Sequence, residues 1–166
     1  MNLLHAMSGW NEEGWTMRYS LYVETDLSLR RVLEMVLRGA GMEGAAVIER
    51  DRGCGVEIPE FDIWVSSASD HEQNQGRESC GIEPTVTVDF WVGNRLDGVT
   101  SFLRMLGGAL ALVDDFGCDC VLIVNDTVSF CVVGGGVVLN SEAGIMDEGR
   151  LAGIRRAYTV KKFEVL

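Results

Sequence analysis

Thr85-Val86-Thr87-Val88-Asp89-Phe90-Trp91-Val92 alternates short polar residues with β-branched and aromatic ones, the pattern of a strand with one face in a core. Asn94 or Asp97 follows as a helix N-cap, and behind it Val99, Phe102, Leu103, Leu106, Leu110 and Val113 recur at helical spacing. Val121-Leu122-Ile123-Val124 then supplies an apolar strand. Strand, amphipathic helix and strand in succession call for a helix packed on a sheet. Gly107 and Gly108 lie inside that helix, where each costs about 1 kcal/mol relative to alanine. The cost is recovered where a helix must approach a neighbouring backbone closely, which places both glycines against the sheet.

Outward from this unit, Asn125-Asp126 makes a two-residue turn, Thr127 to Val133 returns, Gly134-Gly135-Gly136 turns again and Val137 to Leu139 closes a meander. Upstream, Arg18 to Val23 alternates as a half-buried strand, and Asp26 offers an N-cap. Leu29, Val32, Leu33, Val36 and Leu37 form one helical face opposite Arg30, Arg31, Glu34 and Arg38, with Gly39 or Gly41 ending the helix. Ala45 to Glu49 reads as a strand broken by Arg52-Gly53-Cys54-Gly55, with Val56 to Ile58 as its hairpin partner. Phe61 to Val65 is a further short strand. Ser66 to Gly81 carries almost nothing apolar and reads as a long exposed loop.

The order is β-α-β-β-β-α-β-β-β, an α+β domain with a single antiparallel-dominated sheet and two helices on one face. It contains a split β-α-β unit resembling the ferredoxin-like class. Leu29, Val32, Leu33, Val36, Phe102, Leu106 and Leu110 are expected to be buried against a sheet that includes Val86, Val88, Leu122 and Val128. Residues 1–16 show no period and read as a loose N-terminal extension, leaving 17–166 as one domain.

A chain of 166 residues, 47% hydrophobic and 23% charged, is long enough to bury a core without staples. Its formal net charge of −11 opposes nucleic-acid phosphates and anionic lipid and favours a basic protein partner. No run reaches the roughly 18 apolar residues of a membrane span, and the start lacks the basic-then-apolar pattern of a secretory signal. The expectation is a cytoplasmic protein. Its five cysteines, Cys54, Cys80, Cys118, Cys120 and Cys131, are odd in number and share no repeated spacing, as expected of reduced thiols.

Chemistry-bearing motifs are sparse. His71 and Cys80 invite a dyad, which a mobile loop would not hold together. Cys118-Asp119-Cys120 lacks the second ligand pair of a zinc site, and Gly134 to Gly136 joins strands instead of opening a phosphate-binding helix. No catalytic residue, metal or cofactor is expected. Asp114, Asp115 and Asp119 gather at a helix C-terminus, where the dipole is already negative. Their placement suggests use outside folding. With Asp70 and Glu72 of the polar stretch they are the candidate partner-binding residues.

Glu83-Pro84 with the strand to Phe90, then the amphipathic helix, then Asp119 to Val128, then Gly135-Gly136-Val137-Val138-Leu139-Asn140 together resemble the third immunity-factor family of the Sit (swarming-inhibition toxin) system. Met17-Arg18-Tyr19-Ser20-Leu21 is similar to the usual family start, which sets residues 1–16 apart. The turn Asn125-Asp126, in place of Asn-Gly, and three cysteines depart from the pattern. The resemblance implies a non-enzymatic cytoplasmic protein that binds and neutralises a cognate toxin delivered between sibling cells. Two other classes stay open: a small enzyme using His71, Cys80 or the acid cluster, and a structural subunit that self-associates through a sheet edge or apolar patch.

Overall fold

The computed structural model describes residues 16–166. Apart from Thr16, which opens the first strand, the expected extension over residues 1–16 lies outside the described residues. In chain order the elements are β1 (Thr16–Glu24), α1 (Leu29–Gly39), β2 (Ile48–Arg50), β3 (Gly53–Val56), β4 (Phe61–Ser67), α2 (Asp70–Cys80) and β5 (Val86–Gly93). There follow α3 (Gly98–Phe116), β6 (Asp119–Val124), β7 (Thr127–Val133), β8 (Gly136–Asn140), α4 (Glu148–Gly153) and β9 (Tyr158–Lys161). The strands form one nine-stranded sheet in the order β2-β3-β4-β5-β1-β6-β7-β8-β9.

Every ladder is antiparallel except β8–β9. At the centre, β1-α1-β4 is split by β5 and β5-α3-β6 is split by β1. That is the ferredoxin-like arrangement expected from the sequence. The β2–β3 hairpin widens it on one side and β7, β8 and β9 on the other.

The main core lies on one sheet face. Leu21 and Val23 of β1, Ile63 and Val65 of β4, Val86, Val88 and Phe90 of β5 and Leu122 of β6 meet Val32, Leu33 and Val36 of α1. Phe102, Met105, Leu106, Ala109 and Leu112 of α3 complete it, so α1 and α3 share the expected face. Leu29 and Leu110 are only partly buried at its margin.

Three local readings are corrected here. Ser28, not Asp26, caps α1, its Oγ accepting from the Arg31 amide at 3.2 Å. The segment Gly53-Cys54-Gly55 is strand β3, not an interruption, with the Trp64 side chain lying against both glycine positions. Val128 belongs to the opposite face: the β6–β7 register slips between Leu122 and Ile123, leaving Ser129 without a partner and turning Val128 away from Leu122. One extra residue inverts the alternation that a strict period of two assumes.

The α3 glycines serve α1, not the sheet. A Cβ on Gly107 would stand 2.3 Å from the Gly39 carbonyl oxygen, and one on Gly108 3.0 Å from Val36 Cγ1. Helix meets helix backbone to backbone here. Gly107→Ala is therefore expected to lower unfolding stability by about 1–3 kcal/mol through overpacking, despite a helix-propensity gain of about 1 kcal/mol. Urea unfolding measures it, and an unchanged or raised midpoint would contradict the close approach.

Candidate functional site

The second sheet face is polar at its centre. Along β1 the side chains of Arg18, Ser20 and Tyr22 alternate with those facing the main core, and on β5 Thr87, Asp89 and Trp91 do the same. Ser20 and Asp89 are register partners. The Ser20 hydroxyl donates to Asp89 Oδ1 at 2.6 Å, and Arg18 Nε donates to the same oxygen at 3.1 Å. Arg18 also lies over the Trp91 ring at 5.8 Å. Burial pushes the Asp89 carboxyl above the usual carboxylate range, against the opposing pull of Arg18 and of the Ser20 hydrogen bond.

The segment expected to be an exposed loop, Ser66 to Gly81, instead ends β4 and forms α2. A capping box starts the helix: Ser69 Oγ accepts from the Glu72 amide at 3.2 Å while Glu72 Oε1 accepts from the Ser69 amide at 2.8 Å. Gly81, at φ 68°, ends it in the left-handed conformation that glycine adopts freely. Apolar periodicity could not reveal this helix, because its buried residues are only Gln75 and Gly76. The readable signal was Ser69-x-x-Glu72 with a terminal glycine.

Hydrogen bonds seat α2 on the sheet. Tyr22 Oη donates to Gln75 Oε1 at 2.5 Å, and Gln75 Nε2 donates to Asp126 Oδ1 at 3.1 Å. Burial first, and the neighbouring carboxylate of Glu72 second, raise the Tyr22 phenol and keep it a donor. Asp126 sits in the β6–β7 turn, where Asn125 and Asp126 take φ of 49° and 57°, the primed geometry a two-residue hairpin favours. Between α2, β1 and this turn lies a cleft of about 400 Å³, lined by Arg18, Ser20, Tyr22, His71, Glu72 and Asp126 among others. Beside it, Thr87 Oγ1 and Trp91 Nε1 are buried without a hydrogen-bond partner among the described residues.

The five acids singled out from the sequence divide into two groups. Asp70 opens α2 and Glu72 lines the cleft. Asp114 and Asp115 end α3 on the other side of the sheet, and each has a partner. Asp114 accepts from Arg156 Nη1 at 3.1 Å and Nη2 at 2.6 Å, and these bonds hold its carboxyl below the usual range. Asp115 pairs with Arg38 at 3.4 Å, and Asp119 Oδ1 accepts from the Gly134 amide at 2.9 Å. The acids at the end of α3 are thus already partnered within the chain, which the helix dipole alone did not indicate. The sequence reading did not single out Arg18, Ser20, Tyr22, Asp89, Gln75 and Asp126, which the fold brings together here.

His71 and Cys80 stand at opposite ends of α2, roughly 13 Å apart along its axis at about 1.5 Å per residue, too far for a dyad. Among the described residues no group of three or more His, Cys, Asp or Glu is placed to hold a metal ion. No helix among them is long and apolar enough to cross a membrane.

Fold and cleft define an α+β domain of split β-α-β topology with a hydrogen-bonded polar cleft on the face away from its main core. The chain belongs to the SitI3-like family, whose profile matches residues 17–150, and is thereby a member of the Sit immunity factors. The matched span runs from β1 into α4 and leaves β9 outside it. No curated protein and no solved structure matches the chain. Family membership suggests an immunity protein of a toxin system and a non-enzymatic role.

The raised Asp89 pKa sets a pH dependence. A carboxyl whose folded pKa exceeds its unfolded value binds protons more tightly in the fold, so its contribution grows as pH falls. Wild type should gain stability relative to Asp89→Asn on acidification from neutrality through the folded Asp89 pKa towards about pH 4, the ordinary carboxylate value. Urea unfolding of both proteins across that range tests this. A stability difference independent of pH would show that Asp89 titrates normally.

Proposed function

We propose that this chain is a cytoplasmic immunity protein that binds and neutralises a cognate, contact-delivered toxin domain of basic character, without catalysis of its own. Family membership across residues 17–150 carries the reading. Two physical observations support it. The net charge of −11 speeds encounter with a cationic partner and discourages nucleic acid and anionic membranes. The cleft presents Glu72 and Asp126, while its one arginine, Arg18, is partnered by Asp89.

The proposed contact face is α2 with the β6–β7 turn, so that Asp70 and Glu72 act together with Asp126. Asp114, Asp115 and Asp119 form a second candidate surface. Their existing partners already answer part of the charge they would offer a toxin.

Isosteric neutralisation separates the two surfaces. Gln at position 72 still completes a capping box, and Asn at position 126 tolerates the left-handed turn. Asp70→Asn, Glu72→Gln and Asp126→Asn together should leave the fold intact and slow association with the cognate toxin domain by roughly tenfold or more at low salt. Raised salt should slow wild type in the same way. The combination Asp114→Asn, Asp115→Asn and Asp119→Asn should change association little. If only this second set weakens binding, the interface moves to the end of α3. If neither set nor salt matters, the electrostatic reading fails.

A further inference from the structure

Cys80, the last residue of α2, is partly buried against a small apolar cluster on the second sheet face that contains Tyr22, Ile82, Val121, Ile123, Val128 and Cys131. Cys131 is itself buried in that same cluster, and the two thiols are near enough to shift each other's ionisation in opposite directions. The other three cysteines, Cys54, Cys118 and Cys120, belong to the main core across the sheet. The register from Cys131 to Val138 to Thr159 puts Lys161, two residues beyond Thr159, on the face that carries the pair.

We propose that Cys80 and Cys131 are a peroxide-responsive dithiol, closing to a disulfide that fastens the C-terminus of α2 to β7. Cys80 is the attacking sulfur. It is the more accessible of the two, and the neighbouring Cys131 thiol, with help from Ser79 and Lys161, lowers its pKa against the opposing effect of burial. Its thiolate attacks one oxygen of hydrogen peroxide, the O–O bond breaks and hydroxide leaves, which takes a proton to become water. Cys80 is then a sulfenic acid. The Cys131 sulfur attacks Cys80 sulfur, its proton passes to the departing hydroxyl, and a second water leaves. Two thiols have lost two electrons and two protons, and one peroxide has become two waters.

The clip would act where the fold is least anchored. Only Gln75 and Gly76 of α2 are buried, and its seat is the chain of hydrogen bonds from Tyr22 through Gln75 to Asp126. Segments with few buried apolar contacts open most readily. A covalent tie at Cys80 would hold this helix, and with it the cleft residues His71, Glu72 and Gln75, against the sheet. The inference stands on the placement of both thiols in one cluster and does not depend on what the cleft binds.

The test treats the reduced full-length chain with about one equivalent of hydrogen peroxide, caps remaining thiols with iodoacetamide and maps peptides by mass spectrometry. The expected product is one linked Cys80–Cys131 peptide pair, lighter by the two lost hydrogens, with Cys54, Cys118 and Cys120 alkylated only after unfolding. Cys131→Ser, or Cys131→Ala should serine unfold the buried site, should leave Cys80 as a dimedone-reactive sulfenic acid. Cys80→Ser should abolish the reaction. Amide exchange over residues 70–80 should slow in the oxidised protein and recover on reduction. Linkage of any other pair would overturn the proposal, as would Cys80 passing to sulfinic acid while Cys131 stays a free thiol in the unmodified chain.

Discussion

Strand β1 has a neighbour on each side and a layer on each face, and nearly everything else is placed by that double obligation. It pairs antiparallel with β5 along Thr16 to Val23 and with β6 along Ser20 to Glu24. Leu21 and Val23 enter the main core beneath α1 and α3, while Ser20 and Tyr22, which alternate with them in sequence, point the other way. A strand buried on both faces is usually apolar throughout. Here the second face of β1 is polar, and Ser20 and Tyr22 are held by hydrogen bonds to Asp89 and Gln75.

That arrangement explains why two layers of such different character cover one sheet. On the core side, α1 and α3 bury large apolar side chains and meet at Gly39 and Gly107 with no side chain between them. On the other side, α2 has no apolar stripe and rests on Gln75 and Gly76. Burying Asp89 and Gln75 is tolerable only because each is hydrogen-bonded, since an unpaired buried polar group costs about 1–3 kcal/mol. The resulting face combines the sheet with a helix held on it mainly by hydrogen bonds.

Much of this was readable in the sequence, and the failures have physical reasons. The strands around Arg18–Val23, Val86–Val92 and Val121–Val124 and the helices behind Leu29 and Val99 advertise themselves by apolar period, so the split β-α-β core followed from them. Helix α2 lacked that period and was hidden in a polar stretch despite its capping box. Val128 obeyed the alternation of its strand until a bulge reversed it. Strand β9 is exposed along its whole length and pairs parallel with β8, leaving no alternation to read. At the site, Glu72 was legible as an acid in a polar segment. Arg18, Ser20 and Asp89 were not, because each looked like the solvent-facing half of a strand. Only the sheet register, which sets Ser20 against Asp89, makes them a cluster.

The central claim is that an immunity factor meets its toxin on the face carrying α2. Hydrogen–deuterium exchange of the chain alone and bound to a cognate toxin domain tests this most directly. The account expects bound-state protection concentrated in residues 70–80, in β1 around Arg18 to Tyr22 and in the turn at Asn125 and Asp126. Protection confined to the end of α3 near Asp114 and Asp115, with α2 exchanging as in the free protein, would contradict it.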